Sequence, residues 1–159
     1  MKTHEYFMEK CIDLAKKGIQ DVSPNPMVGS IIVYNNEIIG RGYHKKFGSN
    51  HAEVNAINSV QDKSLLEKST LYVNLEPCCH HGKTPPCTDL IIENKIPKVV
   101  IGCKDSYSKV SGNGIKKLRN NLIEVIDCVL DDKCKELNRR FFCYHEKKRP
   151  YIILKWAKS

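Results

Sequence analysis

The chain has 159 residues and a formal net charge of +8 at pH 7, a length that suits one domain built around a single core. Charged residues interrupt every apolar run in its first segment, MKTHEYFMEKCIDLAKKG. We therefore expect no signal peptide, no membrane-spanning segment and a cytoplasmic location. The positive charge alone does not choose among nucleic acid, an anionic membrane surface and a phosphorylated small molecule as a partner.

Apolar residues at helical spacing predict helices, and β-branched runs predict strands. The first half of the chain is predicted to form a helix over 3–18, strands over 27–34 and 37–43 that pair as a hairpin around Asn35-Asn36, a helix over 51–60, and a strand over 70–75. The second half is predicted to form a loop over 76–86, helices over 87–94 and 114–120, strands over 98–103 and 123–126, and a long helix over 131–145.

A hairpin followed by alternating helices and strands favours an α/β fold. The predicted architecture is a three-layer α/β/α sandwich around a mixed sheet of about five strands. Pro150 should end the last helix, and the residues after it should begin a new apolar strand where the sequence stops. We expect residues 1–147 to form the domain and residues 148–159 to be a tail, either of a truncated chain or one that pairs with a neighbour.

Eight cysteines in a chain without an export signal favour reduced thiols and metal ligands over a disulfide framework. Five of these cysteines occur singly in apolar or helical surroundings, where cysteine usually behaves as a small hydrophobic residue. We expect these five to be inert: Cys11, Cys103, Cys128, Cys134 and Cys143.

The strongest chemical signal joins His51-Ala52-Glu53, at the start of a predicted helix, with Cys78 and Cys87 further along the chain. An imidazole nitrogen and two thiolates are ligands that zinc prefers, and three protein ligands leave the fourth tetrahedral position open for water. Zinc lowers the pKa of bound water toward about 7 to 9. Glu53 lies two residues beyond the histidine and can exchange a proton with that water. Such a set of residues is typical of hydrolytic zinc deaminases.

The spacing of the two cysteines departs from the usual Pro-Cys-x-x-Cys pattern, because eight residues, CHHGKTPP, separate Cys78 from Cys87. Two alternatives therefore stay open. One of Cys79, His80 and His81 could serve as a ligand, or the cluster could be a closed structural site with four ligands. A closed site would leave Glu53 without a chemical role.

The segments SPNPMVGSIIV, HAEVNAI and LEPCCHHGKTPPC resemble the deaminase domain of the bifunctional riboflavin-biosynthesis deaminase/reductase family. The resemblance runs from the first helix to the last residue. It implies a cytidine-deaminase-like fold, a Zn²⁺ ion bound by His51, Cys78 and Cys87, and Glu53 as the proton shuttle. The implied reaction converts 2,5-diamino-6-ribosylamino-4(3H)-pyrimidinone 5′-phosphate to 5-amino-6-(5-phosphoribosylamino)uracil and ammonia, with no organic cofactor.

The same resemblance implies five substrate contacts: Asn25, His44, His80, Lys83 and Asp105. Asn25 offers both a donor and an acceptor to a pyrimidine edge, while His44 and Lys83 can contact ribose or phosphate. The alternative is that Asn25 only shapes its Pro-flanked turn and that Lys83 is solvated. After Asp105 the family continues with Pro-Asn-Pro, whereas this chain has Ser-Tyr-Ser and then SGNG, so any contact made by that asparagine is lost or replaced.

The resemblance also implies a homo-oligomer, a dimer or a tetramer, and it matches the tail over 148–159 to the entry of a reductase domain. Two rival functions remain at this point. One is a deaminase for another nucleotide, such as dCMP, or for adenosine in tRNA; the other is a non-enzymatic, zinc-stabilised binding module. The SPNP segment and the long spacing between Cys78 and Cys87 favour a small pyrimidine ribotide and disfavour nucleic acid.

Overall fold

The computed structural model describes residues 1–80, 85–106 and 110–157. Its helices are α1 (His4–Ala15), α2 (Ala52–Ser59), α3 (Cys87–Glu93), α4 (Asn113–Asn120), α5 (Asp131–Leu137) and α6 (Arg139–Lys147). Its strands are β1 (Gly29–Tyr34), β2 (Glu37–Tyr43), β3 (Thr70–Leu75), β4 (Lys98–Cys103) and β5 (Glu124–Ile126). Short 3-10 helices cover Lys16–Gly18 and Lys63–Lys68.

The strands form one mixed sheet in the order β2-β1-β3-β4-β5. β1 pairs antiparallel with β2 and β3, whereas β3, β4 and β5 run parallel to one another. The hairpin between β1 and β2 turns at Asn35 and Asn36, which have φ values of 46° and 65°, as a two-residue turn of this kind requires. The predicted hairpin and the mixed five-stranded sheet are both confirmed.

Alternate side chains of each strand enter two different hydrophobic clusters, one on each face of the sheet. On one face, Ile32, Val73 and Ile101 pack with residues of α2, α3 and α4. On the other face, Ile31 and Val100 pack with residues of α1, α5 and α6. Helices therefore cover both faces of the sheet, and the predicted three-layer α/β/α architecture is confirmed.

The long helix predicted over 131–145 is wrong, because the chain forms two helices that meet at Asn138. Asn138 is 3% exposed, and its side chain accepts a hydrogen bond from Met27 N–H at 2.8 Å and donates one to Met27 C=O at 2.9 Å. Its backbone, at φ −104° and ψ 25°, leaves the helical range at the end of α5. The periodicity of the apolar residues continues across this break, so it predicted one helix.

The strand predicted in the tail is also wrong for the residues that the structure describes there, since 150–157 carry no strand assignment. Side chains in this segment, including Ile152, Leu154 and Trp156, are largely exposed. Among the cysteines expected to be inert, Cys128 differs from the other four in being exposed. No helix in the described part of the chain is both long and apolar enough to cross a membrane.

Candidate active site

The three predicted metal-binding side chains come from three different parts of the fold. His51 is the residue before the first turn of α2, Cys78 follows β3, and Cys87 is the first residue of α3. The Cys78 segment is tied to α3 by two hydrogen bonds, from Thr88 N–H to Cys78 C=O at 3.1 Å and from Cys87 N–H to Cys78 Sγ at 3.3 Å. These bonds fix one sulfur atom relative to the other.

The donor atoms of these residues converge on one point. His51 Nδ1 lies 3.5 Å from Cys78 Sγ and 3.3 Å from Cys87 Sγ, and all three donor atoms lie within 4.8 Å of one another. A tetrahedron with ordinary zinc–sulfur and zinc–nitrogen bond lengths has sulfur–nitrogen edges of about 3.6 Å. The spacing and the chemistry of the donors therefore fit a zinc ion.

No fourth donor joins this group within the described residues. Cys79 and His80, two of the alternative ligands, lie outside the group, and His81 lies outside the described part of the chain. Burial raises the pKa of the Cys79 thiol, and a protonated thiol is a poor nucleophile.

Without a metal ion, hydrogen bonds among the three donor side chains shift their pKa values in opposite directions. A hydrogen bond from the Cys87 thiol lowers the pKa of Cys78 to about 4, and the same bond raises the pKa of Cys87. The hydrogen bond with Cys78 raises the pKa of His51 to about 9. Cys78 is therefore already a thiolate at neutral pH, whereas His51 and Cys87 must each lose a proton when a metal ion binds.

Glu53 lies in the first turn of α2 and is 3% exposed. Its carboxyl group is within hydrogen-bonding reach of the Cys87 side chain. Burial raises the pKa of this carboxyl group above its usual value. A buried carboxyl group that is held beside a metal site is suited to general acid–base chemistry.

Asn25 and His44 contact each other at the edge of the same site. His44 is 3% exposed, and its Nδ1 lies 3.1 Å from Asn50 C=O, while its Nε2 lies 3.1 Å from Asn25 Nδ2. A carbonyl oxygen only accepts, so Nδ1 carries the proton and Nε2 accepts from the Asn25 amide. Burial lowers the pKa of His44, which agrees with this neutral form. The contact turns the amide oxygen of Asn25 away from His44.

A cleft of about 1540 Å³ joins these residues. Its lining includes the proposed substrate contacts Asn25, His44, His80 and Asp105 together with His51, Glu53 and Cys78. Lys83, the fifth predicted contact, lies outside the described residues. The cleft is larger than the roughly 300–1,000 Å³ of typical small-molecule sites, so its volume is sufficient for a nucleotide-sized ligand.

Two buried asparagines that the sequence analysis missed hold the segment that carries Asn25. Asn138 binds the backbone of Met27 as described above. Asn74, in β3, accepts from Gly29 N–H at 2.7 Å and donates to Met27 C=O at 3.1 Å. No sequence signal could have identified Asn138, because a single asparagine in a helical pattern is usually solvent-exposed.

Comparison with known proteins agrees with this site. Residues 1–103 match the family described as the cytidine and deoxycytidylate deaminase zinc-binding region. The riboflavin biosynthesis protein RibD of Actinobacillus pleuropneumoniae is 48% identical over 151 residues, which are 95% of this chain and 40% of that protein. The chain thus spans about two fifths of the length of this relative.

A shorter relative matches over nearly its whole length. The diaminohydroxyphosphoribosylamino-pyrimidine deaminase of Buchnera aphidicola subsp. Schizaphis graminum is 45% identical over 137 residues, which are 86% of this chain and 92% of that protein. Among solved structures, the deaminase/reductase of Thermotoga maritima superposes with a TM-score of 0.87 at 52% identity, covering 92% of this chain and 41% of that one. The chain therefore belongs to the zinc-binding cytidine and deoxycytidylate deaminase family, together with the deaminase part of the RibD proteins.

Proposed function

We propose that this chain is a zinc-dependent hydrolytic deaminase that converts 2,5-diamino-6-ribosylamino-4(3H)-pyrimidinone 5′-phosphate to 5-amino-6-(5-phosphoribosylamino)uracil and ammonia in riboflavin biosynthesis. The observation that carries the proposal is the buried Glu53 beside a three-donor group, in a cleft that Asn25 also lines. The identity to the Buchnera deaminase over almost that protein's full length supports the choice of substrate.

In this proposal His51, Cys78 and Cys87 hold the metal ion. Bound zinc supplies Lewis acidity, which makes water a nucleophile near neutral pH. The Glu53 carboxylate takes a proton from the attacking water and delivers it to the ring nitrogen next to C2. As the carbonyl forms at C2, the Glu53 carboxylate takes the proton of the new C2 hydroxyl group and passes it to the leaving amino group, which departs as ammonia.

The remaining cleft residues bind and orient the ribotide. The Asn25 oxygen, which the bond to His44 turns away from the histidine, is proposed to accept a hydrogen bond from the pyrimidine. His80, Lys83 and Asp105 are proposed to contact the ribosylamino and phosphate groups. A carboxylate repels phosphate, so Asp105 is assigned to a hydroxyl or amino donor.

Three broader features also remain part of the proposal. Residues 1–147 are proposed to form the deaminase domain, and residues 148–159 to be a connecting tail. The chain is proposed to assemble as a homodimer or homotetramer and to act in the cytoplasm. Light scattering at several protein concentrations tests the assembly.

The decisive experiment compares wild type with Glu53→Gln after reconstitution with zinc. Ammonia release from the diaminopyrimidine ribotide is measured along with zinc content. We expect Glu53→Gln to lose at least about 10²-fold in kcat, the lower range for a proton-transfer group, while it keeps its zinc. Glu37→Gln, an exposed residue of β2, is the matched control and should keep wild-type activity.

Other outcomes would change the proposed substrate or the proposed enzymatic function. If zinc-replete wild type released no ammonia from the ribotide but did so from dCMP or a tRNA, the substrate assignment would be wrong and the deaminase chemistry would stand. If no substrate were deaminated and Glu53→Gln bound zinc and ligands like wild type, the chain would be a zinc-stabilised binding module. Binding to RNA would weaken steeply with salt, whereas binding to a monophosphate would change little.

A further inference from the structure

Glu76 is a buried carboxylate that is neither one of the three metal-binding residues nor one of the five proposed substrate contacts. It is the first residue after β3, it is 3% exposed, and it lines the cleft. A buried carboxylate is costly unless several donors satisfy it. The donors around Glu76 therefore indicate what this side chain holds in place.

Within the described part of the chain, four backbone N–H groups donate to the Glu76 carboxylate. Oε2 accepts from Asp105 at 3.2 Å and from Gly112 at 2.9 Å. Oε1 accepts from Gly114 at 3.0 Å and from Ile115 at 3.2 Å. One side chain thus binds the backbone at Asp105 and at the start of α4, so it fixes both ends of the segment between them.

The start of α4 is shaped for this contact. Gly112 has φ 77° and offers no side-chain cap to the helix, so the Glu76 carboxylate satisfies N–H groups that a cap would otherwise take. At Gly114 a Cβ atom would lie 2.3 Å from Pro77 C=O and 3.1 Å from Glu76 Oε1. Gly114 therefore allows α4 to approach the Glu76–Pro77 backbone closely, while Gly112 permits the positive φ at the start of the helix.

The same residue lies next to the zinc site. Glu76 N–H donates to Cys103 C=O at 2.9 Å, which ties the end of β3 to the end of β4. Cys78 follows Glu76 by two residues, and Asp105 follows β4 by two residues. The carboxyl ends of neighbouring parallel strands meet at one edge of a sheet, and Glu76 joins the two chain segments that leave this edge.

We propose that Glu76 is a positioning residue that holds Asp105 in the cleft wall at a fixed place relative to Cys78, and so sets the affinity for the ribosylamino part of the substrate. The inference rests on the proposed function and adds a specificity determinant to it. Glu76 acts through the backbone of Asp105 and does not contact the reacting atoms.

The chemistry of the side chain makes the claim testable by a small change. Glu76→Gln keeps the volume but replaces one acceptor oxygen with an NH₂ group, which points donors at two backbone N–H groups. Asp105 should then lose its place while His51, Cys78 and Cys87 stay together. An interaction that binds substrate and transition state equally changes KM and leaves kcat unchanged.

The experiment is a double-mutant cycle of Glu76→Gln and Asp105→Ala, measured as kcat and KM for ammonia release from the ribotide, with zinc content. We expect Glu76→Gln to raise KM about tenfold, the effect of losing a hydrogen bond to a charged group, with kcat within about twofold and zinc retained. In the Asp105→Ala background the same change should raise KM less than about threefold, because the two residues act as one unit. Glu124→Gln, which removes an exposed charge paired with Lys98, is the control and should leave both constants unchanged.

Two results would overturn the inference. One is an equal rise in KM from Glu76→Gln with and without the Asp105 side chain; the other is a lower melting temperature with unchanged KM. If Glu76→Gln does not fold, Gly112→Ala takes its place in the cycle with the same expected results, because alanine disfavours φ 77° and displaces the Gly112 N–H. An inactive zinc-replete wild type would instead count against the proposed function, so the two failures are distinguishable.

Discussion

The two sides of the cleft are built in different ways. On the zinc side, the side chains of His51, Cys78 and Cys87 themselves converge on one point. On the substrate side, buried polar side chains act on the backbone of other residues: Asn138 binds Met27 across 111 sequence positions, and Glu76 binds Asp105 across 29. Metal binding depends on side-chain type on the first side, whereas substrate binding depends on backbone placement on the second. Mutations on the zinc side should therefore remove zinc and activity, and mutations on the substrate side should mainly change KM and stability.

The largest effect is expected from Cys87→Ser on the zinc side. Serine removes one of the two thiolates, and the loss in zinc affinity should exceed the roughly 10- to 100-fold that outer-shell partners of a metal site typically cause. Zinc content after dialysis and ammonia release should both fall to background. Cys128→Ser, at an exposed thiol, is the control. A zinc-replete, active Cys87→Ser variant would remove Cys87 from the ligand set.

Zinc affinity should also fall as the pH falls. Because the pKa of His51 is raised to about 9 and that of Cys87 is raised further, both groups carry protons in the metal-free protein at pH 6–8. Two protons must leave on binding, so the association constant should drop by up to about 100-fold per pH unit in this range. Competition with a chelating dye at pH 6, 7 and 8 measures the slope. A slope near zero would mean that the metal-free site holds no such protons.

A smaller effect is expected on the substrate side from Asn138→Ala. The change leaves Met27 N–H without its partner and should lower the free energy of unfolding by about 1–3 kcal/mol. The segment carrying Asn25 should then be held less firmly, so KM should rise while zinc stays bound. Chemical denaturation and kinetics measure the two effects, with Asn58→Ala, on the exposed side of α2, as the control. An unchanged KM would show that Asn74 alone is enough to hold this segment.

The smallest effect is expected from His44→Phe, which keeps a ring at this position but removes the acceptor for the Asn25 amide. Losing that bond should raise KM by about three- to tenfold, the equivalent of one net hydrogen bond, and leave kcat near wild type. Phe47→Leu, at a partly exposed ring in the same loop, serves as the control. A loss confined to kcat would contradict the view that His44 acts by orienting Asn25.

Most of the fold could be predicted from sequence because its signals are local. The Asn35-Asn36 turn and the β-branched runs around it specify the hairpin, and alternating apolar residues specify the two faces of the central strands. The prediction was wrong at Asn138 and in the tail. At Asn138 a tertiary hydrogen bond ends a helix that periodicity alone would continue. In the tail, the described residues 151–157 are apolar in part but are not assigned to a strand.

By itself the sequence determined the order of the elements and the three-layer architecture. It also determined the candidate zinc ligands, because histidine and cysteine residues at a characteristic spacing are typical of zinc sites. Only the tertiary structure decided how the substrate side is held. It determined the tautomer of His44 and the hydrogen bonds from Asn74 and Asn138 to the Met27 backbone. It also determined the four backbone N–H groups that donate to Glu76. These contacts join a side chain to a distant backbone group, and any residue type can supply a backbone group. No motif therefore marks them before the chain has folded.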